Sequence, residues 1–253
     1  MPEHTRTETK NVKIVIEYDG TEYHGWQCQG DLPTVQKTIE NAIQQITGEN
    51  LKIAGSGRTD AGVHAMGQVA NFFTETKMDC KTLQKALNST LPRDISIISS
   101  RHVSENFHAQ FSSRSKIYEY RIFNTPYHSA LRRNAVWHVP RKLDTEKMKE
   151  AASYLEGTHD FSVFATADIT VKTTVRTVKR IQIEKSDEDI IAIEIEADGF
   201  LKRMVRMITG TLAEVGKGKI SPKEFRQILE SGEKTKNIFT APPQGLFLKK
   251  VIY

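Results

Sequence analysis

The stretch at residues 55–72, GSGRTDAGVHAMGQVANF, places Arg58, Asp60 and three glycines within eight residues. A glycine-dense turn reaches φ > 0 without steric cost and lets backbone approach a ligand, so a charged pair mounted on it is presented and not buried. Residues 51–54 before the turn and 68–73 after it have short-strand character, with Ile53, Val69 and Phe72 as apolar anchors. Local chemistry leaves two other readings open. In a purely structural turn, the Asp60 side chain would bond its own backbone two residues on. A phosphate-cradling loop would use the glycines, but no Gly-Lys-Ser/Thr follows, dinucleotide spacing is absent, and an exposed carboxylate repels phosphate.

Outward from this turn the chain reads as regular elements. Val12, Ile14, Ile16 and Tyr18 alternate as in a strand, which Asp19-Gly20 ends. Thr34 is placed to cap a helix that carries Val35, Ile39, Ala42, Ile43 and Ile46 on one face and stops at Gly48. Asp79 caps a second helix with Leu83, Ala86 and Leu87 inward; Leu91-Pro92 ends it, and residues 95–103 form a closing strand. The order β-α-β-β-α-β then recurs. After a Ser-rich junction at residues 111–115 come a strand at 117–123 and a helix capped by Asp144, with Met148, Ala151, Ala152 and Leu155 inward and Gly157 as its stop. Strands at 174–184 and 190–197 pair across Asp187-Glu188-Asp189, and Leu201, Met204, Val205, Ile208 and Leu212 form a helical face. Ser221-Pro222-Lys223-Glu224 is a capping box with proline at the first helical position, and residues 246–252 supply the last strand. The fold expected is α/β (α+β): two pseudo-symmetric split-βαβ, ferredoxin-like halves at residues 12–111 and 112–253 behind a flexible tail, residues 1–11. Their sheets would join into a mixed, mainly antiparallel sheet with helices on one side and a central cleft.

Lys and Arg exceed Asp and Glu by 36 to 31, a formal charge of +5, which favours a polyanionic partner only mildly. Cys28 and Cys80 are too few for a disulfide framework and suit a reducing compartment. The histidines are scattered without metal-ligand spacing, so no metal is expected. No apolar run approaches the roughly 18 residues of a membrane span, and the polar start has no signal-peptide core. A soluble, cytoplasmic protein with no membrane association is expected.

GRTDAGVHA, residues 57–65, resembles the signature of the tRNA pseudouridine synthase A family. The similarity extends over residues 12–253 through YDGTEYHGWQ, SKIYEYRI, GTHDFSVFA, DGFLKRMVRMI and APPQGLFLKKVIY. The resemblance implies two α/β halves around a cleft, a homodimer, and an isomerase that converts uridine to pseudouridine at positions 38 to 40 of the tRNA anticodon stem-loop without a cofactor. It gives Asp60 the catalytic role, as a nucleophile or as a base on the sugar. Desolvation disfavours the charge of a carboxylate enclosed by base and sugar, so a cation is needed beside it. The resemblance assigns Arg206 to that pairing. Spacing adds that Lys202 and Arg206, four apart on the expected helix, share a face beside Leu201, Val205 and Ile208, while Arg203 points elsewhere.

Alternation puts Tyr118 and Tyr120 on one strand face with Ile122, where core packing is the ordinary role of a tyrosine. The resemblance picks Tyr118 to stack on the target uracil and leaves Tyr120 to packing. It also favours Arg58 as a participant in nucleotide flipping, against a salt bridge within its loop. Arg114, Lys116, Arg132, Arg133, Lys202 and Arg203 are candidates for tracking an RNA backbone, though such residues also serve as solvated surface. HGWQ at 24–27 and GTHDF at 157–161 read as scaffold or dimer contacts. Thr209 stands where valine is the more usual family residue. Two other functions remain open: a non-catalytic RNA-binding protein, and glycosidic hydrolysis, which needs a second carboxylate. Glu119, on the strand face opposite Tyr118, is poorly placed to supply one.

Overall fold

The computed structural model describes residues 9–166, 171–233 and 238–253, so the expected tail lies outside the described residues as far as residue 8. The chain divides into two compact units, Met1–Ser113 with Tyr253, and Arg114–Ile252.

The first unit contains β1 (Lys10–Tyr18), α1 (Val35–Thr47), β2 (Ala54–Gly55), β3 (His64–Thr74), α2 (Cys80–Thr90) and β4 (Ile95–His102). Its strands lie in the order β4-β1-β3-β2, all antiparallel. Val12, Ile14, Ile16 and Tyr18 form the buried face of β1, and Val35, Ile39, Ile43, Leu83 and Leu87 bring the helices into the same core. Both helices start where a side chain satisfies an orphan N–H: Thr34 accepts from Lys37 N, and Asp79 from Lys81 N and Thr82 N. β1 begins at Lys10, inside the expected tail, because Asn11 is anchored by side-chain bonds to Ser104 O and Phe107 O and accepts one from Asn71. β2 is shorter than expected. Ile53 leaves the ladder because α1 side chains take its peptide groups: Glu40 accepts from Ile53 N (3.1 Å), and Gln36 Nε2 donates to Ile53 O (3.2 Å).

The second unit contains β5 (Ser115–Phe123), β6 (Trp137–His138), α3 (Thr145–Ser153), β7 (Gly157–Asp160), β8 (Val175–Lys185), β9 (Ile190–Ala197), α4 (Met204–Gly216), α5 (Pro222–Ser231) and β10 (Leu246–Ile252). Its strands run β10-β5-β9-β8-β7, antiparallel throughout, with β6 added parallel to β5. The order β10-β5-β9-β8 repeats β4-β1-β3-β2, so the two units share one plan. Gly157 does not stop α3, which ends at Ser153 with Tyr154 as its C-cap; with φ +104° it opens the edge strand β7. The Ser221 capping box is complete, Glu224 N donating to Ser221 Oγ and Ser221 N to Glu224 Oε2 (2.7 Å).

One buried hydroxyl on α4 is out of keeping with its surroundings. Thr211 Oγ1 donates back to Met207 O (2.8 Å), whereas Thr209 Oγ1 is fully buried without a hydrogen-bond partner among the described residues. Leaving a buried hydroxyl unpaired costs about 1–3 kcal/mol. Thr209→Val should therefore stabilise the protein by about 1 kcal/mol, raising the thermal midpoint by roughly 2–4 °C at this size. A lowered midpoint in a thermal melt would show that the hydroxyl is used.

Candidate active site

The loop between β2 and β3 is tied down at each inward position. Ser56 N donates to Val69 O (2.7 Å) and Ser56 Oγ to Gln68 Oε1 (2.7 Å), while Gln68 Nε2 donates to Gly57 O (2.9 Å). Thr59 points inward and shares a 2.8 Å hydrogen bond with the buried Tyr18 hydroxyl. Burial pushes that phenol well above its ordinary range, so it stays neutral and serves Thr59 as a hydrogen-bonding partner. Past Asp60, Val63 N donates to Asp60 O (3.2 Å) and Gly62 N to Tyr23 O (3.2 Å). His64 is buried at the start of β3, its Nδ1 accepting from Gly20 N (3.0 Å) at the end of β1. Between the anchored inward residues, Arg58 is exposed and Asp60 half-buried. The loop thus presents a guanidinium and a carboxylate two residues apart on a backbone with little freedom to move.

In the second unit, Lys116, Tyr118, Tyr120 and Ile122 share one face of β5. Tyr118 is 7% exposed and meets Phe200 edge to face, with ring centroids 4.9 Å apart. Tyr120 is fully buried and donates to Pro242 O (2.7 Å); burial pushes its phenol far up, opposed by the charge of Arg206. Tyr120 is therefore a core residue. Arg206 is half-buried on the first turns of α4, with Nε donating to Ala241 O (2.8 Å) and its own carbonyl accepting from Ala241 N (3.0 Å). That clasp depends on Gly210, one turn on, where a Cβ would stand 2.0 Å from Phe239 O. A glycine inside a helix costs about 1 kcal/mol against alanine, and here it admits the strand of chain that holds the arginine.

α4 begins later than the apolar spacing implies. Arg203 adopts the left-handed conformation (φ 63°) at the helix N-cap, so Lys202 precedes the helix and does not share a helical face with Arg206. A non-glycine residue at positive φ carries strain that the surroundings must impose.

A family model described as tRNA pseudouridine synthase matches residues 14–112 and 151–253. The chain belongs to the tRNA pseudouridine synthase family. It is 51% identical over 244 residues to tRNA pseudouridine synthase A of Thermoanaerobacter sp. (strain X514), covering 96% of this chain and 100% of that one. The corresponding enzyme of Acetivibrio thermocellus is 50% identical with the same coverage. As a pseudouridine synthase the protein is an isomerase.

The basic residues singled out in this pseudouridine synthase have unequal surroundings. Arg114, Arg133, Lys202 and Arg203 are exposed. Arg132 is already engaged, its Nη2 2.6 Å from Glu188 Oε2 and its guanidinium over the Phe123 ring at 5.6 Å. Lys116 is half-buried, and burial pushes its ammonium below the lysine range, partly offset by Asp198. Glu119, on the opposite face of β5, accepts from Arg121 Nε (2.7 Å) and Lys249 Nζ (2.8 Å). Burial would raise its carboxyl, but Lys249 and Arg121 outweigh it and hold it below the usual range. A carboxylate so committed does not serve as the acid partner that hydrolysis requires. Among the described residues no three or more His, Cys, Asp or Glu side chains gather as metal ligands, and no helix is long and apolar enough to cross a membrane.

Phe200 escapes a reading of the sequence because it lies between β9 and α4, in neither periodic pattern. Tyr18, Gln68 and Trp26, which brace the Asp60 loop, read as strand or scaffold residues when taken one at a time.

Proposed function

We propose that this pseudouridine synthase isomerises uridines at positions 38 to 40, on the 3′ side of the tRNA anticodon stem-loop, with Asp60 as its catalytic carboxylate and no cofactor. The bond from C1′ to N1 breaks, the freed uracil turns, and a bond from C1′ to C5 replaces it while C5 gives up its proton and N1 gains one. The sum is an isomerisation, so no oxidant or acceptor is consumed. Asp60 acts on the sugar as nucleophile or base. Arg206 pairs with it and keeps its charge in a site closed around the loose base. Tyr118, backed by Phe200, stacks on the extruded uracil, and Arg58 takes part in the flip.

The observation that carries this reading is the loop itself: Ser56, Thr59 and Gln68 are anchored inward, and between them the loop holds an exposed Arg58 and a half-buried Asp60 two residues apart. Arg114, Lys116, Arg133, Lys202 and Arg203 track the RNA backbone, with Arg132 at the margin because Glu188 already holds it. The protein works as a homodimer in the cytoplasm.

Mapping pseudouridine in unmodified tRNA after incubation with the pure protein tests the proposal. New pseudouridine at positions 38 to 40 is expected. Modification confined to other positions would overturn the site assignment, and free uracil would mark a hydrolase.

A further inference from the structure

We infer that residues 24–27, HGWQ, form the shelf that sets the position of Asp60, with Gly25 as the residue whose identity the reaction depends on. The inference rests on the reading of Asp60 as the catalytic carboxylate.

Gly25 adopts φ +87°, and a Cβ there would stand 2.4 Å from Thr59 O, 3.1 Å from Asp60 C and 3.3 Å from Ala61 N. Those are backbone atoms of the catalytic turn, so they yield only if the turn moves. Trp26 N donates to Thr59 O (3.2 Å) from the same shelf. The buried Trp26 indole fills the space beside Gly55, where a Cβ would lie 2.4 Å from its Nε1. The shelf therefore touches the loop at its entry and again at the aspartate.

The shelf is itself fixed from behind by α1. Val35 N donates to Gly25 O (3.2 Å) and Gln36 N to Trp26 O (3.0 Å), so the unpaired N–H groups of the helix start hold the shelf carbonyls. The Gln36 side chain accepts from the backbone N–H of Cys28 (3.2 Å), the residue that follows the shelf, and donates to Ile53 O, joining the shelf's exit to the chain that leads into the loop. Glu40, 6% exposed, accepts from Ile53 N and from Lys52 Nζ (2.8 Å). These contacts form a rigid path from α1 through the shelf to Asp60. Displacing a catalytic group by about 1 Å costs roughly 100-fold in rate, whereas substrate affinity depends on contacts spread over the RNA surface.

Gly25→Ala, purified and confirmed folded by circular dichroism, should lower kcat about 100-fold while the KM for tRNA stays within about threefold, measured well below the melting temperature. Trp26→Phe keeps the backbone bond to Thr59 and loses part of the ring beside Gly55; it should lower kcat about tenfold with KM unchanged, and it decides the matter if Gly25→Ala does not fold. A folded Gly25→Ala with kcat within twofold of wild type, or with the loss confined to KM, overturns the inference. Asp60→Asn is run in parallel: if it turns over normally, the reading of Asp60 fails and the inference with it, whereas an inert Asp60→Asn beside an active Gly25→Ala sinks the shelf alone.

Discussion

Asp60→Asn is expected to lower pseudouridine formation by at least about 10³-fold while tRNA affinity stays within roughly tenfold of wild type. Asparagine matches aspartate in shape but carries no charge, so it can neither attack the sugar nor take a proton from it. The variant keeps the loop anchors made by Ser56, Thr59, Gln68 and the backbone. RNA affinity draws on many phosphate contacts, and losing one carboxylate leaves them in place. Nucleoside analysis of treated tRNA, with a filter-binding titration of the same preparation, checks both halves. Wild-type turnover would remove Asp60 from the chemistry, and a collapse of affinity would make it a binding residue.

On the proposed reading, in which Arg206 supplies the positive charge that keeps the Asp60 carboxylate ionised, Arg206→Ala should lower kcat by about 100-fold with a smaller change in KM. Arg206 also grips Ala241 O, so some of the loss could come from loosening of that segment. Arg206→Lys separates the two effects. Lysine restores the positive charge without the planar fork, and activity within about tenfold of wild type is expected if charge is the essential property. A variant with normal kcat and only weakened tRNA binding would place Arg206 among the backbone-tracking residues.

Much of the architecture was readable because local signals sit at element ends. Thr34, Asp79, Asp144 and Ser221 each cap the helix they were expected to cap, and β10 runs over the expected residues. Boundaries failed where a distant group decided them. β2 loses residues 51–53 because Gln36 and Glu40 claim the Ile53 peptide, and β1 gains Lys10 and Asn11 because the Asn11 side chain finds carbonyls some ninety residues away. Nothing in LKRM signals a left-handed arginine, so apolar spacing alone starts α4 too early and puts Lys202 on a helical face with Arg206 that the structure does not have.

The candidate site is signalled in a different way. The motif draws attention to Arg58 and Asp60, and the structure places them on a loop braced from within by Ser56, Thr59 and Gln68. The bracing was not legible, since Gly25 stands 35 residues before Asp60 and its importance lies in a contact that leaves no room for a side chain. The Tyr18 hydroxyl was hidden likewise, at the end of an apolar alternation that accounts for its burial without revealing its bond to Thr59.

The central claim, that the Asp60 carboxylate performs the isomerisation, is tested most directly in a single turnover with enzyme in excess over tRNA carrying tritium at C5 of uridine. Forming the new bond at C5 expels that hydrogen, so release reports the chemical event apart from product dissociation. Wild type should release the label in one phase, and Asp60→Asn, fully bound to the same tRNA, should release none above the no-enzyme control. Release by Asp60→Asn within tenfold of the wild-type rate would contradict the account.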